Sequence, residues 1–248
     1  METYIFVIYF EDIFMIKKGF TLSEVFITIS IIGVVAALTL PSLINKIQDK
    51  HFKSVYKKDV ALMSEAMKML YANDDKSFDT SFAGLPKSVC ALRKYLKISH
   101  ITFECAEIEA YEDDPTKLFD NWIKNYRKMW HSNDSGSLWF TKDNIKMPNV
   151  MTYEYSTIHL TNGAMVFFPC CNRIYIDVNG YKKPNVIGKD IFALPIENGL
   201  PQTKIGNSFV PQGCFGEKNT STTLTKDNYV DDCLNGHGWG CSFLYLEE

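Results

Sequence analysis

An uncharged apolar run near the N-terminus constrains the fold more than any other feature of this sequence. Residues 25–40 read VFITISIIGVVAALTL, and the stretch back to Phe20 is interrupted only by Glu24 and small hydroxyl residues. A helix needs about 20 apolar residues to cross the hydrocarbon core of a bilayer. The core helix of a soluble protein keeps a polar stripe, which this run lacks. The sequence therefore predicts a membrane-spanning helix.

The helical pattern continues beyond the apolar run. Between Leu43 and Leu70, apolar residues recur at spacings near three and four, the periodicity of a helix with one buried face. Pro41 removes one backbone hydrogen bond and kinks a helix without necessarily ending it. We therefore expect one helix of about 50 residues, with a membrane and assembly half over residues 20–41 and an amphipathic continuation over residues 42–72.

The residues that precede the run resemble a known processing site. They read Lys17-Lys18-Gly19-Phe20-Thr21-Leu22-Ser23-Glu24. This stretch is similar to the cleavage site of type IV pilins and type II secretion pseudopilins. In that family a basic leader ends in Gly, and a mature Phe, a Glu at the fifth mature position and an apolar run follow. Counted from Phe20, Glu24 is fifth, and Pro41 is twenty-second, where such proteins often have a helix-kinking proline.

The resemblance implies an assembly function rather than catalysis. It implies cleavage by a prepilin peptidase between Gly19 and Phe20, methylation of the new N-terminus, and pairing of Glu24 with the α-amino group of Phe20 on a neighbouring subunit. The implied partners are other pilin or pseudopilin subunits, the inner-membrane assembly platform and the lipid bilayer. Type IV pili, type II secretion pseudopili and DNA-uptake pili share these features. The alternative is a single-pass, membrane-anchored envelope enzyme or ligand-binding protein unrelated to pilus assembly.

Residues 1–19 form the predicted leader. Residues 1–14 are rich in apolar and aromatic side chains, whereas leaders of this family are usually short and polar. Met15 offers a second start that leaves the short leader Met15-Ile16-Lys17-Lys18-Gly19. Residues 1–14 are therefore either a mis-called start or an unusual leader, and they are excluded from fold prediction.

Residues 73–248 are predicted to form a globular α+β domain. The expected architecture is pilin-like, with the long N-terminal helix packed on a C-terminal antiparallel sheet, as the resemblance also implies. The turn signal Asn162-Gly163 predicts a hairpin. Short helices are expected over 87–96 and 116–130, and strands over 152–160, 164–168, 173–178 and 241–246.

All seven cysteines follow the apolar run. Such a number is unusual for a reducing cytosol and favours an oxidising compartment. The most local pairings are Cys90 with Cys105 and Cys233 with Cys241, and the odd total leaves at least one thiol over or paired between chains. The cysteines and the processing motif together place the protein in the inner membrane as a single-pass protein, with its C-terminal domain outside the cytoplasm.

Charge and motifs exclude several classes of function. The 26 basic and 29 acidic residues give a net charge of −3, so no nucleic-acid binding that depends on bulk positive charge is expected. The sequence lacks GxSxG, P-loop, HExxH and GxGxxG motifs, and none of its five histidines has a metal-ligand spacing to another. Cys170 and Cys171 are interpreted as structural rather than nucleophilic. We therefore predict that the protein is not an enzyme.

One loop has the composition of a calcium site. Residues 177–190 read DVNGYKKPNVIGKD, with Asp177, Asn179 and Asp190 as candidate ligands and the Tyr181 carbonyl as a further one. Oxygen side chains at alternate positions next to a glycine suit a hard cation such as Ca²⁺. The loop is not an EF-hand, because Lys182 stands where glycine is required and Gly188 where glutamate is required. The alternative is an Asx turn that holds the loop without metal.

Processing at the predicted site can be measured directly. Cleavage after Gly19 removes 19 of the 248 residues and leaves a mature chain of 229 that begins at Phe20. Mass spectrometry of protein from a host with a prepilin peptidase should find this N-terminus, carrying an N-methyl group. An intact N-terminus in that host would contradict the prediction.

Overall fold

The computed structural model describes residues 19–74, 78–79, 85–101, 105, 139–145, 156–168, 172–180, 182–211 and 223–248. The chain divides into two compact units, one ending at Ile47 and the other beginning at Gln48. The described helices are α1 (Leu22–Asp74), α2 (Leu85–Ala91), α3 (Tyr229–Asn235) and α4 (Cys241–Glu247), with a 3₁₀ turn at Leu92–Lys94. The described strands are β1 (Ile98–Ile101), β2 (Ser156–Leu160), β3 (Met165–Phe168), β4 (Arg173–Asp177), β5 (Ile191–Glu197) and β6 (Leu200–Pro201).

Helix α1 is continuous over 53 residues and contains Pro41 within it, as predicted. Its first part is long and apolar enough to cross a membrane, and none of its most apolar 18-residue window is buried in the protein. Apolar side chains such as Ile27, Ile32 and Leu38 are exposed there. From Phe52 onward the helix has a buried face, which Tyr56, Met63 and other apolar residues form.

The six strands form one antiparallel sheet in the order β1-β2-β3-β4-β5-β6. Each strand pairs with the next along the chain, so the sheet is a meander, and the fold class is α+β as predicted. The second unit packs α1 on this sheet through a stack of Tyr56 on Phe192, with ring centroids 4.0 Å apart. The Tyr56 hydroxyl donates to the carbonyl of Ser242 at 2.7 Å, which ties α4 to the same contact.

The structure confirms several local predictions. The hairpin at Asn162-Gly163 joins β2 to β3, and the domain contains disulfides, as expected; they link the two most local cysteine pairs, Cys90–Cys105 and Cys233–Cys241. Residues 152–155, the predicted helix over 116–130, and the cysteines Cys170, Cys171 and Cys214 lie outside the described residues. Strands β1, β5 and β6 and helix α3 were not predicted.

The strand predicted over residues 241–246 is wrong, because this segment is helix α4. Its amides bond locally, with the Leu244 N–H donating to the Gly240 carbonyl. The disulfide from Cys241 back to Cys233 ties the segment to α3. The side chain of Ser242 is buried and accepts a hydrogen bond from the Ala193 N–H of β5. A short apolar run does not distinguish strand from helix by periodicity alone.

A buried carboxyl joins α1 to the β2–β3 turn. Asp59 is 0% exposed, and its Oδ1 accepts a hydrogen bond from the Asn162 side-chain amide at 2.7 Å. The Asn162 Oδ1 in turn accepts from the Ala164 N–H at 3.0 Å. Burial raises the pKa of Asp59 to about 6, because charge is costly away from water.

The raised pKa of Asp59 predicts that the stability of the protein depends on pH. The pKa is higher in the folded state, so the folded state holds the proton more tightly, and the unfolding free energy falls as pH rises from about 4 to about 6. The loss is at most about 3 kcal/mol. Asp59→Asn keeps an acceptor for Asn162 but has no proton to release, so its melting temperature should fall less between pH 4 and 7 than that of the wild type.

The matched control is Asp227→Asn, because Asp227 is exposed. Thermal melts of the full chain in detergent micelles should give this control the wild-type pH profile. If the melting temperature of Asp59→Asn fell with pH as steeply as that of the wild type, the raised pKa of Asp59 would be contradicted.

Candidate functional sites at the helix start and in the β4–β5 loop

The predicted cleavage junction lies ahead of α1. The helix begins at Leu22, so Gly19 and Phe20 precede it, and both are exposed. The Phe20 side chain is 85% exposed, and apart from its chain neighbours no described residue has an atom within 4 Å of where a Cβ on Gly19 would stand. A peptidase must bind backbone in an extended form, and this junction offers non-helical backbone next to an apolar helix.

Glu24 and Thr21 cap the N-terminus of α1. The Thr21 N–H and the Thr21 hydroxyl each donate to Glu24 Oε2 at 2.8 Å, and the Glu24 N–H donates to Thr21 Oγ1 at 3.3 Å. This reciprocal pattern is a capping box, which satisfies amide groups that have no partner within the helix. The sequence Thr-Leu-Ser-Glu carries the signal for such a box, and our sequence reasoning missed it. Glu24 therefore has a structural role within its own chain, in addition to the pairing that the resemblance implies.

The loop over residues 177–190 closes the β4–β5 hairpin. Asp177 is the last residue of β4 and pairs with Ile191, the first residue of β5. Asp190 directly precedes Ile191, and its carbonyl accepts a hydrogen bond from the Val178 N–H at 2.9 Å. The two acidic residues are thereby brought to the same end of the strand pair, although 12 residues separate them in the sequence. Both side chains are buried.

Hydrogen bonds inside the loop hold it in shape. The Asp190 carboxylate accepts from the Asn185 N–H at 2.8 Å and from the Val186 N–H at 2.6 Å. Asp177 Oδ1 accepts from the Asn179 N–H at 3.2 Å, which is the Asx turn predicted as the alternative to a metal site. The Asn179 side-chain amide donates to the Lys183 carbonyl at 3.2 Å. The loop therefore has internal contacts that do not require an ion.

In this loop it is unfavourable for Asp177 and Asp190 both to be ionised when no cation lies between them. Burial, together with the charge of Asp190, raises the pKa of Asp177 to about 8. Burial also raises the pKa of Asp190. The pair therefore holds a proton at neutral pH, since two nearby buried carboxylates repel each other. A divalent cation between them would remove the repulsion and displace the proton.

Two amide oxygens complete the candidate donor set. Within the part of the chain that the structure describes, the Oδ1 atoms of Asn179 and Asn185 are buried and have no hydrogen-bond partner. Asn185 is only 5% exposed, and sequence reasoning did not select it. Two carboxyls and two amide oxygens match the preference of Ca²⁺ for oxygen ligands. Tyr181 is outside the described residues, and within them no three His, Cys, Asp or Glu side chains form a metal cluster.

The loop is packed against the C-terminal disulfide. Gly188 has a φ of +76°, and a Cβ there would overlap the Gly238 carbonyl oxygen and stand 3.0 Å from Cys241 Sγ. The Tyr245 hydroxyl donates to the Gly188 carbonyl at 3.3 Å, and Lys189 forms an ion pair with Asp49 of α1 at 3.6 Å. The loop therefore contacts both α1 and the segment closed by the Cys233–Cys241 disulfide. A rearrangement of the loop backbone would disturb these contacts.

Comparison with known proteins gives no relatives. No protein-family model, no curated protein and no solved structure matches the chain. Functional assignment therefore depends on the residues and the geometry described above.

Proposed function

We propose that this chain is a structural subunit of a pilin-like assembly, either a type IV pilus or a type II secretion pseudopilus. The observation that carries the proposal is helix α1, which joins an exposed apolar half to a half that packs in the sheet domain. A long apolar helix packed on an antiparallel sheet is a pilin-like architecture. Its exposed apolar surface needs lipid or other apolar helices around it, because water disfavours it.

Three hydroxyls of the apolar half donate hydrogen bonds within the helix. Thr28, Ser30 and Thr39 donate their hydroxyls to the carbonyls of Val25, Phe26 and Val35 at 2.9, 2.7 and 2.8 Å. An unsatisfied polar group in hydrocarbon costs several kcal/mol. These bonds make the surface suited to lipid.

The same surface suits packing between helices. A Cβ at Gly33 would meet no described atom within 4 Å outside its chain neighbours and the backbone of its own helix, and Ala36 and Ala37 follow it closely in the sequence. Small residues let helix backbones approach each other in the absence of water. In our proposal the helix first anchors the subunit in the inner membrane and then packs with the helices of other subunits.

Glu24 differs from these hydroxyl residues because its side chain can carry a charge. A charged side chain at mid-bilayer costs roughly 2.5–3.5 kcal/mol on insertion scales. The capping box with Thr21 offsets part of that cost, and both of its hydrogen bonds to the carboxylate end on Oε2. Cleavage by a prepilin peptidase after Gly19 creates an ammonium group on Phe20, and in our proposal the Glu24 carboxylate pairs with that group on a neighbouring subunit.

The proposed location is the inner membrane, with the sheet domain outside the cytoplasm. The disulfides Cys90–Cys105 and Cys233–Cys241 support an oxidising compartment for this domain. The proposed partners are the prepilin peptidase, the inner-membrane assembly platform and other pilin-like subunits.

Two substitutions of Glu24 separate its charge from its capping role. Glutamine also serves in a capping box, so Glu24→Gln keeps the helix start but removes the charge, whereas Glu24→Ala removes both. We expect both variants to be processed and inserted but to be missing from sheared fibres or from pseudopili. The readout is immunoblotting of the membrane and sheared fractions.

The control is Glu65→Gln, since Glu65 is an exposed residue farther along α1. This variant should assemble like the wild type. Normal assembly of Glu24→Gln would contradict the charge pairing, and normal assembly of Glu24→Ala would contradict any role of Glu24 in assembly.

We also propose that the β4–β5 loop binds Ca²⁺ through Asp177, Asn179, Asn185 and Asp190. The partnerless amide oxygens of Asn179 and Asn185 beside two buried carboxyls support this proposal. Waters or carbonyls would complete the six to eight oxygen ligands that Ca²⁺ takes. Binding to the folded state raises stability by about 2.7 kcal/mol when Ca²⁺ is at 100 times its dissociation constant.

Thermal melts test the calcium site. The melting temperature of the full chain should rise with CaCl₂ and fall with a chelator. Asp177→Asn keeps the Asx-turn acceptor but cannot ionise to ligate the cation, so it should fold without responding to calcium, as should Asp190→Asn. Asp227→Asn should respond like the wild type. If the melting temperature of the wild type does not depend on calcium, the calcium site is contradicted. The loop is then held by its own hydrogen bonds without an ion.

A further inference from the structure

Two histidines face each other across strands β1 and β2. His100 of β1 is the register partner of His159 of β2, and their ring centroids are 5.3 Å apart with planes tilted by 59°. They are 59 residues apart in the sequence, so their proximity depends entirely on strand pairing. No two histidines have a metal-ligand spacing in the sequence. The register of the sheet nevertheless brings His100 and His159 close together.

A β-bulge brings the two rings opposite each other. Ile98 pairs with Leu160, but His100 rather than Ser99 pairs with His159, so Ser99 is the extra residue. In a regular antiparallel ladder Ser99 would lie opposite His159, and His100 would point to the other face. The Ser99 hydroxyl donates to the His159 carbonyl at 3.0 Å, which holds the bulged backbone in place. Bulges commonly re-aim a side chain next to a functional site.

The pair is exposed at His100 and half-buried at His159. His159 lies between Ile158 and Leu160, which are both buried, so its side chain points to the opposite face of the sheet. His100 is exposed, and β1 is the first strand in the order of the described sheet.

The ring separation suits one shared metal ion. A tetrahedral zinc ion with nitrogen ligands at about 2.0–2.1 Å places the centroids of two coordinating imidazoles about 5 Å apart. The ring planes are tilted by 59°, so the rings are not stacked face to face. Imidazole ligands suit Zn²⁺ and Ni²⁺ rather than Ca²⁺ or Mg²⁺.

We propose that His100 and His159 form a two-histidine site for a divalent transition-metal ion such as Zn²⁺ where strands β1 and β2 pair. Water or a group from another molecule takes the remaining coordination positions. The site is separate from the oxygen ligands proposed for Ca²⁺ in the β4–β5 loop, and it does not depend on the proposed assembly function.

Calorimetric titration with ZnCl₂ tests the site. The sample is the full chain in detergent, without a polyhistidine tag, with thiols alkylated and with millimolar CaCl₂ present to occupy the β4–β5 loop. We expect one Zn²⁺ per chain, and we expect His100→Asn and His159→Asn each to weaken binding at least about tenfold, because each removes one arm of a chelate. NiCl₂ should give the same ranking of variants.

The matched control is His51→Asn, since His51 is an exposed histidine of α1. This variant should bind Zn²⁺ like the wild type. Melting curves check folding, and His100→Asn decides the test if His159→Asn unfolds, because His100 is exposed. Wild-type affinity in His100→Asn, or no zinc binding by the wild type, would overturn the proposal.

Discussion

The contact of Tyr56 with Phe192 holds the second unit together. The Tyr56 ring stacks on Phe192 of β5, and its hydroxyl donates to the Ser242 carbonyl of α4. One buried side chain thus joins the long helix, the sheet and the C-terminal helix. Ser242 returns a bond to β5 by accepting from the Ala193 N–H. Removing the ring would leave a cavity where three elements meet, and large-to-small changes of this kind cost about 3–5 kcal/mol.

The candidate calcium loop depends on this packing. Its two ends are the paired ends of β4 and β5, and β5 is the strand that holds Phe192. Its return path lies against Gly238 and Cys241, where only a glycine fits at position 188. Ion binding in the loop would therefore stabilise the junction between the sheet and the C-terminal helices. This coupling gives a structural reason for a cation site in a domain whose proposed role is assembly.

The sequence predicts features that depend on local pattern and misses those that depend on register or on long-range packing. The apolar period predicted the extent of α1, and Asn162-Gly163 predicted the hairpin. The local cysteine pairings were also recovered. Strand β5 contains Pro195, and a proline within an apolar run counts against a central strand. Helix α4 could not be predicted from the local sequence, because Ser242 within it forms a long-range hydrogen bond with Ala193 of β5. No local pattern shows that contact.

The candidate sites also divide into residues that the local sequence predicts and residues whose role depends on the fold. Gly19, Phe20 and Glu24 were found from a linear motif, and the capping box of Thr21 was readable from the same residues. Asp177 and Asp190 were found from loop composition, whereas Asn185 was missed because its role depends on a left-handed backbone with φ of +56°. The His100–His159 pair was missed because a single bulge residue, Ser99, decides which side chains face each other.

The most direct test of the central claim is whether the chain leaves the membrane by assembly. Cells that carry the prepilin peptidase are compared with and without the assembly ATPase, and the sheet domain is followed by immunoblotting of the membrane and sheared fractions. Our account predicts that the chain reaches the sheared fraction, or a pseudopilus that can be isolated, only when the ATPase is present. A chain that stays in the membrane in both strains would contradict it.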